Sequence, residues 1–235
     1  MHFETTRWSV VNAAKSGDAA GARQALATLC STYWYPLYGY IRHKGYSAED
    51  AQDLIQEFFA RFLEKNYLKD VDPAKGKFRS FLLASVNHLL SNERDRARTI
   101  KRGGRVTFLP LDFTAIEDRY AAVTPAALSP EKLFDRAWAL ASLETALSRL
   151  RQEYVRADKL ALFDRLEGTL TGQEPCSRYR EAGLELGLSE EAVKTTVHRL
   201  RRRYRDLLVE EIAHTLAEGE SVDEELRHLF AAIGG

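Results

Sequence analysis

The chain has 235 residues, and its 34 Lys+Arg balance its 34 Asp+Glu, which excludes a polycation or a disordered polyelectrolyte and leaves room for one large domain or two small ones. A hydrophobic share of 45% supports packed cores, while two distant cysteines, Cys30 and Cys176, exclude a disulfide framework and a zinc ribbon. No apolar run approaches the roughly 20 residues of a membrane span. Nor do Met1 to Trp8 hold the apolar core of a signal peptide, so the expectation is a soluble cytoplasmic protein without membrane contact.

Helical periodicity dominates, and alternating strand patterns with hairpin turns are missing. Arg23 to Arg42 reads as a long apolar-aromatic helix through Leu26, Leu29, Tyr33, Leu37 and Tyr40. Pro36 predicts a kink or a break in it, and Gly45 its end. Ser47 and Asp50 then form a capping-box-like start. Ala51, Leu54, Ile55, Phe58, Phe59 and Phe62 fill one face of the next helix, and Glu49, Asp50, Asp53, Gln56 and Glu57 the opposite one. Asn66 to Lys77 reads as a loop, and about Phe78 to Arg98 as a helix with a basic end. Gly103-Gly104, Pro110, Pro125 and Pro130 mark a linker.

Periodicity returns at about Glu131, where Leu133, Ala137, Leu140, Leu143, Leu147 and Leu150 form a core-facing stripe. Lys159 to Leu170 reads as a second helix, Thr171 to Pro175 as a loop, Arg178 to Leu186 as a short helix and Ser189 to about Leu216 as a long one. The fold expected is all-α: two helical domains, 1–104 and 131–216, joined by a flexible linker, 105–130, the second with a helix-turn-helix. An acidic tail, 217–235, follows.

Neutrality hides segregation. Lys77 to Arg105 carries eight cations against Glu93 and Asp95, Lys194 to Arg205 six cations and no acid, and Asp206 to Gly235 eight acids against Arg227. Two basic islands suggest a polyanion reached by two surfaces. In the helix pair, Tyr179, Ala182, Leu184 and Leu186 can pack on Val193, Val197, Leu200 and Tyr204, with Gly187 as the turn and Ser189 as the cap. With Val193 inward, Lys194, Thr195, His198, Arg199 and Arg202 point outward, where arginines can contact phosphates or guanine edges. Asn87, His88, Ser91, Asn92, Arg94, Arg96 and Arg98 mix base-reading amides and phosphate-binding cations; a solvated charge run has the same look. The acidic face repels phosphate and suits a basic protein partner, or is an ordinary solvated face. The six histidines show no HExxH or other ligand spacing, and neither a Walker loop nor GxSxG occurs, so no catalytic residue, metal or cofactor is expected.

Three motifs in order, Ser47-Ala48-Glu49-Asp50-Ala51-Gln52-Asp53-Leu54-Ile55-Gln56-Glu57-Phe58-Phe59, Gly76-Lys77-Phe78-Arg79-Ser80-Phe81-Leu82 and Leu188 to Arg201, resemble bacterial RNA polymerase sigma factors of the extracytoplasmic-function type. The resemblance covers about Leu26 to Ile212. It implies that Asp50, Asp53, Gln56, Glu57 and Phe58 bind core RNA polymerase. It implies that Asn87, His88, Ser91, Asn92, Arg94, Arg96 and Arg98 meet the minus-ten promoter element, and Lys194, Thr195, His198, Arg199 and Arg202 the minus-thirty-five element. Promoter DNA and core polymerase are the implied partners, and an anti-sigma factor is a further one the family admits. Departures exist: Asn87-His88 stands where the family has Arg-Asn, Asn92 where it has aspartate, and Ala182-Gly183 where it often has Ile-Ala. The aromatic melting cluster of larger sigma factors is reduced to Phe78 and Phe81. Two rival readings are a helix-turn-helix regulator acting without polymerase and a sigma-like scaffold that lost promoter recognition. In the tail, Val222, Leu226, Leu229, Phe230 and Ile233 recur at helical spacing among Asp223, Glu224 and Glu225. Such a helix can fold back on a basic DNA-reading surface and mask it, or simply pack or fray.

Overall fold

The computed structural model describes residues 32–64, 77–97, 128–170, 179–213, 216 and 220–234. All regular structure among them is helical, as the periodicity predicts. Residues 32–43 form α1. The later helices are α2 (Ala48–Glu64), α3 (Phe78–Ala97), α4 (Pro130–Arg156), α5 (Leu160–Leu166), α6 (Tyr179–Leu186), α7 (Glu190–Ala213) and α8 (Val222–Gly234). A 3-10 turn at Glu167–Thr169 replaces the end of the helix expected to run to Leu170. The loops expected at Asn66 to Lys77 and Thr171 to Pro175 and the linker 105–130 lie almost wholly outside the described residues.

The chain divides into two compact units, Met1–Ala141 with Ile212–Gly235, and Ser142–Glu211. The start of α4 and the whole of α8 therefore pack with the amino-terminal unit, although the sequence alone separates them from it.

In that first unit, α1 runs through Pro36 without the break its ring suggests. The proline forfeits one backbone bond, but Tyr33, Leu37, Tyr40 and Ile41 are all fully buried around it, and that burial outweighs the loss. Gly45, at φ +93, ends the helix as expected. The Ser47 hydroxyl caps α2, accepting from the Asp50 amide at 3.1 Å and donating to Asp50 Oδ2 at 2.7 Å. Ala51, Leu54, Ile55, Phe58 and Phe59 are buried as the spacing predicts. Trp34 stacks on Phe59 with centroids 5.5 Å apart, and Tyr33 meets Phe78 edge-on at 5.6 Å, so one aromatic layer joins α1, α2 and α3.

The tail helix packs, one of the readings its sequence leaves open. Leu226 and Leu229 are buried, but Phe230 is 56% exposed and Glu225, expected among the flanking acids, is only 2% exposed. Its carboxylate accepts from Arg79 and Lys77 at the start of α3. Arg79 lies 4.6 Å over the Trp138 ring and 3.5 Å from Asp135 Oδ1. The acid thus replaces water around two cations. Asn87, His88, Ser91, Asn92 and Arg94, farther along α3, stay exposed.

The second unit packs α4, α5, α6 and α7. Its core holds Ala146, Leu150, Phe163, Leu166, Val193, Val197 and Leu200. Of the expected α4 stripe, Leu133, Ala137 and Leu150 are buried and Leu140, Leu143 and Leu147 half-buried, while Phe134, Trp138, Ser142 and Ala146 are fully buried beside it. On α6, Tyr179 and Ala182 face inward as expected; Leu184, expected inside, is 80% exposed, and Gly183 is buried in addition.

Glu225→Ala should cost about 2–4 kcal/mol, because it strands a buried guanidinium with Asp135 as its remaining carboxylate. Urea unfolding should show a lower midpoint at unchanged slope. A loss below about 0.5 kcal/mol, the scale of an ordinary surface substitution, refutes the clasp as a stabilising contact.

Candidate functional site

Three surfaces carry the candidate residues, two in the first unit and one in the second. On α2, Glu49, Asp50 and Asp53 are exposed, and Gln56 and Glu57 are half-buried. Asp50 is committed to the cap, and Glu57 accepts from Arg61 one turn on. Among the described residues Glu49 and Asp53 have no ion pair, and Asp53 is the nearer of the two to the centre of this face. Phe58 points the other way: it is 5% exposed and meets Phe59 edge-on at 5.2 Å. The expectation of Phe58 as a contact residue meets a core side chain, because the 100° step from Glu57 carries it to the buried face.

On α3, Asn87, Ser91 and Arg94 share one face at spacings of four and three, with His88 and Asn92 beside them, all exposed. Two tyrosines from outside the helix brace this face. The Tyr40 hydroxyl donates to Asn87 Oδ1 at 2.9 Å, and the Arg94 guanidinium lies 5.8 Å over the Tyr46 ring. Neither tyrosine is marked by the sequence, since Tyr40 is 47 positions from Asn87. The Arg96 side chain and Arg98 lie outside the described residues.

In the second unit, α6 and α7 are joined by Gly187-Leu188-Ser189. Gly187 has φ +67, and the Leu188 amide closes on the Gly183 carbonyl at 2.8 Å, a Schellman end. The Ser189 hydroxyl accepts from the Ala192 amide at 3.2 Å and caps α7. Val193, Val197 and Leu200 are buried to 0%, 2% and 1% exposure, so Lys194, Thr195, His198, Arg199 and Arg202 face outward as expected.

The six cations of this helix do not act alike. Lys194 donates to Glu190 at 2.9 Å; that bond raises the ammonium's pKa and lowers the carboxyl's. Arg203 is spent on packing. It donates to Glu153 from Nε and Nη2, and to Glu210 at 3.3 Å. Its hydrogen bonds hold the Glu153 carboxyl below the usual range against the opposing effect of burial. Arg201 donates to the Thr169 carbonyl at 3.0 Å. The Tyr204 hydroxyl donates to the Leu143 carbonyl at 3.1 Å, and burial pushes its pKa up to about 12. His198, Arg201, Arg202 and Arg205 line an open groove of about 580 Å³ with Asp206 and Val209. Arg199, Arg202 and Arg205 are exposed, and the described residues supply them no ion pair. These three can meet phosphate without giving up an internal salt bridge.

Residues 31–99 match the family model for Sigma-70 region 2. Over 168 residues the chain is 28% identical to the ECF RNA polymerase sigma factor SigE of Mycolicibacterium smegmatis, a match covering 71% of this chain and 54% of that protein. The chain thus spans about half the length of this curated relative. No solved structure gives a significant match. The acidic face and the Asn87 to Arg94 face both lie within the region 2 match, and the α7 surface lies beyond it.

Gly183 explains one local sequence choice. A Cβ built there stands 2.6 Å from the Leu188 carbonyl oxygen, a backbone atom that cannot swing away. Alanine would ordinarily favour a helix by about 1 kcal/mol over glycine. Here the clash wins, and Gly183→Ala should destabilise by about 1–3 kcal/mol. Thermal unfolding checks the sign: a higher melting temperature refutes the close approach.

Proposed function

We propose that this chain, an extracytoplasmic-function sigma factor by its region 2 match and its relative, binds core RNA polymerase and directs it to promoters without being an enzyme itself. The observation that carries the reading is the pair of opposed surfaces in the region 2 segment. The acidic face of α2 repels DNA and suits a basic protein surface, and the polar-basic face of α3 suits a nucleic acid.

In this reading Asp53 leads the polymerase contact, with Asp50, Gln56 and Glu57 around it. Phe58 takes part by seating α2 on the core. Asn87, His88, Ser91, Asn92 and Arg94, with Arg96 and Arg98, meet the minus-ten element. Thr195, His198, Arg199 and Arg202 meet the minus-thirty-five element, and Lys194 joins them by exchanging Glu190 for a phosphate. The functional segments are 1–104 for polymerase and the minus-ten element, 105–130 as linker, 131–216 for the minus-thirty-five element and 217–235 as tail. An anti-sigma factor is a further partner consistent with the family. The protein works in the cytoplasm, where polymerase and promoter are.

Asp53→Arg with Glu57→Arg should abolish co-purification with core polymerase while leaving the helical circular dichroism spectrum unchanged. The two sites suit the test because Asp50 would also break the cap. Unchanged co-purification sinks the assignment. Arg199→Ala should weaken holoenzyme binding to the promoter by about 1–3 kcal/mol if the guanidinium pairs with a guanine edge. An equal loss on every sequence would instead mark a phosphate contact.

A further inference from the structure

Asn87 heads the proposed minus-ten face, and its side chain is held from behind. Tyr40, fully buried, donates its hydroxyl to Asn87 Oδ1 at 2.9 Å. The ring is itself fixed: Phe134 meets it edge-on with centroids 6.4 Å apart, and the Lys44 ammonium lies 5.0 Å over it. A second acceptor competes for the same proton, since Glu131 Oε1 stands 3.4 Å from the hydroxyl. Were the proton given to Glu131, Asn87 would donate to the hydroxyl oxygen and turn its carbonyl outward. Two observations favour the first arrangement. The bond to Asn87 has ordinary hydroxyl-to-oxygen length and the one to Glu131 is near the limit. Glu131 Oε1 also already accepts from Lys44 Nζ at 3.2 Å.

We propose that Tyr40 is a positioning residue: it fixes Asn87 with its amide nitrogen toward the promoter, so that one minus-ten position is read through a hydrogen-bond acceptor on the base. The inference rests on the minus-ten reading of α3. An asparagine free to turn pairs with adenine at two points, donating to N7 and accepting from N6. With Oδ1 turned to Tyr40, that pairing is denied. Bases rich in acceptors, guanine through O6 and N7 and thymine through O4, are favoured instead. Asn87 then discriminates by what it cannot accept.

Holoenzyme reconstituted with core polymerase, assayed on promoters carrying each base at every minus-ten position, tests this. Asn87→Ala should flatten the preference at one position. Tyr40→Phe removes only the hydroxyl and should cut discrimination at that same position by about tenfold, with adenine gaining, while other positions keep their profiles. Asn87→Asp keeps an acceptor for Tyr40 but has no donor, so the acceptor preference should vanish; this variant decides the matter even if Tyr40→Phe unfolds. If Asn87→Ala changes no position, the minus-ten reading of Asn87 fails and the inference with it. If Asn87→Ala flattens a position that Tyr40→Phe leaves sharp, or if Asn87→Asp retains the preference, the positioning role is overturned while the minus-ten reading stands.

Discussion

A carboxylate at 2% exposure must be compensated, and Glu225 is compensated by Arg79 and Lys77. That requirement organises the first unit. It brings the last described helix against the start of α3, and it holds Arg79 between Asp135 and Trp138, which fixes the start of α4 to the same place. In chain order the unit made of Ser142–Glu211 is thus an insertion between two segments of the other. A tail helix that could be removed without consequence would show loose polar contacts. This one supplies the acid that makes a buried arginine tolerable.

The basic helix shows how the same residue type is divided by its neighbours. From Lys194 to Arg205 six cations look equivalent in sequence. Arg203 is committed to Glu153 and Glu210, and Lys194 to Glu190. Arg199, Arg202 and Arg205 keep their charge outward. A surface ion pair is worth at most about 1 kcal/mol, so Lys194 can exchange its partner for a phosphate at small cost. Arg203, bonded from all three guanidinium nitrogens to two carboxylates, loses more by leaving, and its role is to hold α7 on α4 within the second unit.

Much of this was legible in the sequence where the causes are local. Ser47 and Ser189 cap their helices, Gly45 and Gly187 end theirs with positive φ, and the stripe Val193-Val197-Leu200 faces inward, each from signals within a few residues. What was not legible depends on distant partners. Glu225 reads as one more acid in an acidic tail until Arg79, 146 positions earlier, lies against it. Leu184 reads as core by spacing, yet the close approach of Leu188 to Gly183 turns the short helix and leaves Leu184 outside. Pro36 reads as a break, and the burial around it overrules that preference. The bracing of Asn87 by Tyr40 has no sequence signature at all.

The balance of charge bears on how the proposed function would work. With a formal net charge of +0, the isolated chain has no net charge to draw it to DNA from a distance. Its basic faces act only within about 8–10 Å at physiological ionic strength. Non-specific DNA affinity grows with the number of phosphates neutralised, so a neutral protein with two separate basic faces gains little by meeting DNA one face at a time. The gain comes when both faces engage together, which asks for an external frame. The acidic face of α2 is the surface on which such a frame can grip, and it also keeps DNA off that side. Neutrality is therefore consistent with a protein whose promoter affinity is conferred by its partner.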